Sequence, residues 1–304
     1  MRHIIIDCDP GIDDALALLL AAGSPALELL AVTTVAGNRP VATTSVNARR
    51  LLDLAGRGRV PVYAGAARPL GYAEPRCNLV HGEDGVGGVD LGAAAPVQEG
   101  HAAVRLVELL AAHPPHSVEL VAVGPLTNLA LAESLAPGIL RRARRLLVMG
   151  GALRVPGNVT PAAEFNFYAD PVAAEMVLAS GANTMLFPLD VTSSAIMSPS
   201  WIGSFGELDT ACGRAAAAML RAYAALDPLL HDACPVAWLL DETLFTGEPC
   251  HLEVDWRPGA TAGHVLARFG EMMDGGHQAN AMAMTAVRND ALLALVRAAI
   301  GTLP

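Results

Sequence analysis

Residues 4–15 read IIIDCDPGIDDA. The continuous apolar run predicts a buried strand over 3–8, Pro10-Gly11 a turn, and IDDALALLLAA a helix over 12–22. A strand apolar on both faces that leads directly into a helix is the repeating unit of a covered, parallel α/β sheet. Alternation along the strand puts Asp7 and Asp9 on the same side. Asp13 and Asp14 enter the first helical turn. Two acids there complement the positive end of the helix, but that does not account for Asp7 and Asp9. Four carboxylates this close repel one another unless some are protonated or a cation joins them. The pattern predicts a bound divalent ion. Ligands that are all oxygen favour Ca²⁺ or Mg²⁺ over zinc. An EF-hand loop is absent, because Gly11 stands where its third acid would be.

The same alternation continues outward. Further apolar runs predict strands over 29–35, 60–63, 118–123, 145–149 and 184–188. Helices are expected over 40–55, 100–112, 126–135 and 171–180. The expected fold is one domain, 1–304, with a single open, mostly parallel central sheet flanked by helices. After 190 the pattern becomes more helical, with Ala-rich 209–226 and then HDACPVAWLL. A strand pair (251–256, 264–269), a strand near 280–287 and a helix near 290–300 close the chain. Two long Gly/Pro-rich stretches, 64–98 and 150–166, interrupt the pattern, and loops of that length in a compact domain are commonly functional. Ligands of open α/β sheets bind outside the carboxyl ends of the strands, which is where the acids lie.

Composition narrows the function. The chain is 53% hydrophobic and carries a net charge of −10, from 20 basic and 30 acidic residues. Every basic residue among the Lys and Arg is Arg, which excludes a P-loop lysine, a Schiff-base lysine and a lysine general base. The one concentrated basic segment, RRARR at 141–145, precedes an apolar run and gives no nucleic-acid footprint. The apolar stretches are broken before they reach membrane-spanning length, and the amino terminus does not read as a secretory signal. A cytoplasmic location is expected. The 5 cysteines form no CxxC pair and read as free thiols.

An apolar strand ending in D-x-D resembles two families. Haloacid-dehalogenase-like phosphatases use the first Asp as nucleophile, but they normally hold phosphate with a Lys, and here Pro10-Gly11 follows the motif directly. The alternative of a catalytically silent metal-binding scaffold is also open at this point. The fuller resemblance is to the nucleoside hydrolases, the inosine-uridine-preferring type. D-x-D-P-G-x-D-D is specific to them, and TTVAGN (33–38), HGEDGVGG (81–88), GPLTNLALA (124–132), VMGG (148–151), AEFN (163–166) and HDACPVAW (231–238) match in order along nearly the whole chain.

The resemblance implies hydrolysis of the N-glycosidic bond of a ribonucleoside, a small-molecule substrate, with no nucleic-acid or membrane partner. It implies Ca²⁺ held by Asp9, Asp14, Asp232 and the main-chain carbonyl of Val123. Asp9 would also serve as general base toward the attacking water, and Asp7 would support the ligands from behind. Asp13, Asn38, Glu164 and Asn166 would contact the sugar, Asn158 its 5′-hydroxyl, and Met149 would lie near it, although a Met at a strand end ordinarily packs in the core. His231 would protonate or position the leaving base, with His81 on the base side. The resemblance further implies a homodimer or homotetramer. There are departures: 223–231 is short, Asp227-Pro228-Leu229 is unusual for a segment that closes over the base, and ALLALV replaces an aromatic pair in the last helix. With Asp9, Asn38, Glu164, Asn166 and His231 all in place, the silent-scaffold reading is disfavoured.

Overall fold

The computed structural model describes residues 1–78, 80–273 and 276–304; Leu79, inside the predicted 64–98 loop, lies outside the described residues. The described strands are β1 (Arg2–Cys8), β2 (Leu27–Thr34), β3 (Val62–Ala64), β4 (Val118–Ala122), β5 (Arg145–Met149), β6 (Thr184–Phe187), β7 (Phe245–Val254), β8 (Val265–Phe269) and β9 (Ala281–Val287). They form one sheet in the order β3-β2-β1-β4-β5-β6-β9-β7-β8. Pairing is parallel from β3 through β9, and antiparallel only where β7 joins β9 and β8 joins β7. The expectation of a mostly parallel open sheet with flanking helices holds.

The order reverses direction at β1, whose two neighbours are β2 and β4. A crevice opens at such a switch point, beyond the carboxyl ends of the two diverging strands. The D-x-D-P-G turn leaves β1 there, and Val123-Gly124 leaves β4 beside it.

The helix Ile12–Gly23 is buried along its whole length, as an almost uniformly apolar helix must be. The helices Ala233–Leu240, Asn289–Ile300, Val41–Leu54 and Ala211–Tyr223 pack around it. This arrangement brings Asp232, the N-cap of Ala233–Leu240, to the first turn of Ile12–Gly23. One face of the sheet therefore carries the later helices that complete the site.

Expected strands and helices fall close to the observed ones. Differences cluster where tertiary contacts decide. Short helices Phe165–Ala169, Leu189–Thr192 and Pro199–Ser204 were not anticipated. β7 begins at Phe245 rather than 251, although Thr246-Gly247-Glu248-Pro249 carries the turn-favouring Gly and Pro. It is strand nonetheless, with a bulge between Thr246 and Gly247. Pairing with β8 begins only at Cys250, so Pro249 sits where β7 is locally an edge, and there a missing N–H is tolerated.

Candidate active site

The floor of the site is the turn after β1. The Asp9 N–H donates to Asp14 Oδ1 at 3.0 Å, and the Gly11 N–H donates to Asp14 Oδ2 at 2.9 Å. Asp14 thus closes its own helix start and also ties it to β1. Asp9 Oδ2 accepts from the Asn38 N–H at 2.6 Å, while Asp9 Oδ1 is buried with no hydrogen-bond partner. Asn38 Nδ2 donates to Asp14 Oδ2 at 3.1 Å and to the Asp9 carbonyl at 3.3 Å. The Asn at the end of VAGN is therefore a fixed member of the cluster rather than a free turn residue.

Two glycines leave room for the Asp9 carboxylate. A Cβ on Gly37 would stand 2.1 Å from Asp9 Oδ2, and one on Gly124 would stand 2.5 Å from Asp9 Oδ1. Asp7 lies behind, fully buried, with Oδ2 accepting from Thr33 Oγ1 at 2.5 Å and Asn128 Nδ2 at 2.8 Å. Asp13, Asp14 and Asp232 each bring a carboxylate oxygen within 4.8 Å of the others.

Burial, first, and mutual repulsion, second, make full ionisation of this set costly. Burial and the Asp14 charge raise Asp9 well above the carboxylate range, and burial with the charges of Asp13, Asp14 and Asp9 does the same for Asp232. Asp14 is raised to about 7 by burial and Asp13, and Asp7 to about 7 by burial against its two hydrogen bonds. An unpartnered carboxylate oxygen, an acid-only donor set and this repulsion all fit a hard divalent cation.

The wall opposite comes from β4, β5 and the 150–166 stretch. Asn166 Nδ2 donates to the Val123 carbonyl at 2.9 Å and the Met149 carbonyl at 3.2 Å, bridging the ends of β4 and β5. Glu164 caps the helix Phe165–Ala169, accepting from the Asn166 N–H at 2.8 Å and the Phe167 N–H at 3.2 Å. It also accepts from the Gly151 N–H at 2.8 Å. Burial nevertheless raises its pKa. Asn158 Oδ1 accepts from the Phe165 N–H at 3.0 Å and holds the loop against this helix.

The remaining wall carries two histidines. His81 Nδ1 accepts from the Ile12 N–H at 3.1 Å, so its proton is carried on Nε2, 3.7 Å from Asp13 Oδ1. Its ring stacks on Tyr223 with centroids 5.1 Å apart. Burial lowers its pKa. The loop that delivers it is anchored by Asn47 Nδ2, which donates to the Asp84 carbonyl at 2.8 Å, and it turns through left-handed Gly85 and Gly87. His231 Nδ1 lies 2.9 Å from Thr192 Oγ1, and Nε2 lies 3.2 Å from Asp227 Oδ2. Burial lowers the His231 pKa, but the hydrogen bond and charge of Asp227 outweigh it and the net shift is upward.

These groups meet around one open cleft. Asp13, Asn38, His81, Val123, Met149, Asn158, Glu164, Asn166, His231 and Asp232 all reach its surface. Asp9 and Asp14 lie beneath it in contact with Asn38. Sequence reading missed Asn78, Tyr223 and the part played by Asp227. Asn78 Nδ2 donates to Asn38 Oδ1 at 2.8 Å, and its position three residues before His81 was the available signal. Tyr223 carries the bulky polar-tipped ring at the end of an Ala-rich helix. Asp227 stands four residues before His231, a spacing that can pair an acid with a histidine.

Comparison with known proteins agrees with this geometry. The family model described as inosine-uridine preferring nucleoside hydrolase matches residues 4–294. An inosine-uridine preferring nucleoside hydrolase of Leishmania major is 37% identical over 280 residues, covering 88% of each chain. A pyrimidine-specific ribonucleoside hydrolase of Shewanella woodyi is 39% identical over 92% of each chain. The solved structure of a purine-preferring ribonucleoside hydrolase from Gardnerella vaginalis superposes with a TM-score of 0.91 at 28% identity, covering 99% of this chain and 98% of that one.

Proposed function

The chain belongs to the inosine-uridine preferring nucleoside hydrolase family and is a ribonucleoside hydrolase; on that premise we propose that it cleaves the N-glycosidic bond with Ca²⁺ at the β1 carboxylates and Asp9 as general base. The observation that carries the reading is the buried, unpartnered Asp9 Oδ1 beneath the cleft. Asp9, Asp14, Asp232 and the Val123 carbonyl would hold the ion. When bound, Ca²⁺ supplies positive charge that lets the carboxylates ionise together, oxygen-coordination sites for the ribose diol, and acidification of a water.

The rest is done by the chain. Asp9 takes the proton of the attacking water, its carboxylate oriented by the Asn38 amide on Oδ2. Asp13, Asn38, Glu164 and Asn166 orient the ribose hydroxyls, Asn158 receives the 5′-hydroxyl, and Met149 packs against the sugar. The cleft places these groups around one volume and so lowers the entropy of reaching the attack geometry. His231 delivers or steers a proton to the departing base, with Asp227 holding its ring. His81, stacked on Tyr223, bounds the base side. Asp7 stays behind Asp9 and keeps Asn128 and Thr33 in register.

Nothing in this arrangement uses two opposed carboxylates as separate acid and base, the usual glycosidase device. The single continuous sheet supports treating 1–304 as one catalytic domain. A cytoplasmic homodimer or homotetramer is the expected form; among the described residues no helix is long and apolar enough to cross a membrane. The test is ribose release from individual ribonucleosides by wild type, Asp9→Asn and Asp14→Asn, with bound calcium measured in each. Asp9→Asn should lose turnover by at least about 10²-fold, the scale of a general base. Turnover retained by Asp9→Asn would remove Asp9 from the chemistry.

A further inference from the structure

Three other side chains come together away from the cleft. β7 alternates strictly at its end. Cys250, Leu252 and Val254 are buried, whereas His251 and Glu253 are partly exposed and share the opposite face. His277, from the segment that precedes β9, arrives beside them. Its ring centroid lies 4.7 Å from that of His251. One ligand atom from each of the three residues lies within 4.8 Å of the others. None of them lines the catalytic cleft.

The hydrogen bonding of His251 fixes what it offers. Nδ1 is 2.7 Å from the Gln278 carbonyl, which can only accept, so Nδ1 carries the proton. Nε2 stands 3.3 Å from Glu253 Oε1, so a proton there bridges the pair, and its loss leaves an imidazole lone pair and a carboxylate oxygen facing one point. A backbone carbonyl that takes the distal N–H of a histidine is the usual support for a metal-ligating imidazole. We propose that His251, Glu253 and His277 form a second metal site that takes a borderline transition ion of the Zn²⁺ or Ni²⁺ class. Two imidazoles and one carboxylate suit such ions, whereas Ca²⁺ prefers six to eight oxygens. Bound metal would tie the segment before β9 to β7. Two features oppose binding: Arg268 Nη1 contacts Glu253 Oε1 at 3.2 Å, so the ion must compete with a fixed positive charge, and the ion must displace the proton His251 shares with the same oxygen.

The experiment uses tag-free protein saturated with Ca²⁺ and titrates Zn²⁺ against a chromophoric competing chelator. Wild type is expected to take up about one zinc equivalent that excess Ca²⁺ does not displace. Arg268→Ala should bind zinc several-fold more tightly, because the competing cation is gone. The His251→Ala/His277→Ala double variant should lose the equivalent and keep ribonucleoside turnover. His113→Ala, which breaks the separate His3–His113 ring contact, should keep it. Wild type that takes up no zinc, or a double variant that still does, would overturn the site.

Discussion

Gly37→Ala isolates the geometry of Asp9 without changing any charged or polar group. An added Cβ would lie 2.1 Å from Asp9 Oδ2, 2.8 Å from its Cγ and 2.8 Å from Pro125 Cδ, where ordinary contact begins near 3.4 Å. The carboxylate or the 37–38 backbone must therefore yield by roughly 1.3 Å, the difference between those contact distances. Either movement breaks the 2.6 Å bond from the Asn38 N–H. Overpacking costs about 1–3 kcal/mol, and a lost hydrogen bond to a charged group adds about 1.5–3 kcal/mol. The expected destabilisation is then about 2–5 kcal/mol, since relaxation relieves part of the first cost when the second is incurred. A displacement near 1 Å at a reacting group costs about 10²-fold in rate. The assay is kcat/KM for ribose release at saturating Ca²⁺, paired with urea unfolding. Gly203→Ala is the control, because its Cβ meets nothing within 4 Å in the helix Pro199–Ser204, and it should leave activity alone. A Gly37→Ala enzyme with wild-type kcat/KM and stability would refute the idea that Asp9 is held in a glycine cradle for catalysis.

Chelated protein should lose stability as pH rises. Asp7 and Asp14 have folded pKa values of about 7 against an ordinary 3.8, so between those values the folded state binds more protons than the unfolded state, and stability falls with pH. Melting temperatures in chelator should decline from pH 5 to pH 8, and saturating Ca²⁺ should flatten the decline; a flat profile in chelator would contradict the raised values. Asn166→Ala leaves the Val123 and Met149 carbonyls without their Nδ2 donor and should cost about 1–3 kcal/mol while raising KM for ribonucleosides, as measured by unfolding and steady-state kinetics. Tyr223→Ala removes the ring stacked on His81 and should cost about 3 kcal/mol with a raised KM, whereas Tyr223→Phe should stay near wild type in stability, since its hydroxyl reaches Asp13 only at 3.5 Å.

The β1–turn–helix unit was legible because three isoleucines, a Pro-Gly turn and an apolar helix are each local signals that agree. The parallel sheet followed from the same pattern repeated. The helix Phe165–Ala169 was not legible. It is too short to declare itself by periodicity, and Glu164 caps it while also reaching Gly151 on another segment. The placement of His81 likewise depends on Ile12 and Asn47, far away in sequence. Motif resemblance named His81 as a site residue, but only the folded loop gives its tautomer and its stacking on Tyr223. Asp227 looked like a departure in a shortened segment; in the structure it is the partner of His231.

Asp13, Asp14 and Asp232 converge, and the buried Asp9 Oδ1 has no hydrogen-bond partner; the proposed calcium ion would make this cluster both stable and catalytic. The most direct measurement is ribose release from inosine, uridine, cytidine and adenosine by one protein preparation, first with a calcium chelator and then with Ca²⁺ restored in excess. Turnover of every nucleoside that is a substrate is expected to stop with chelator and to return with Ca²⁺. Undiminished release after calcium has been removed to below the protein concentration would contradict that expectation.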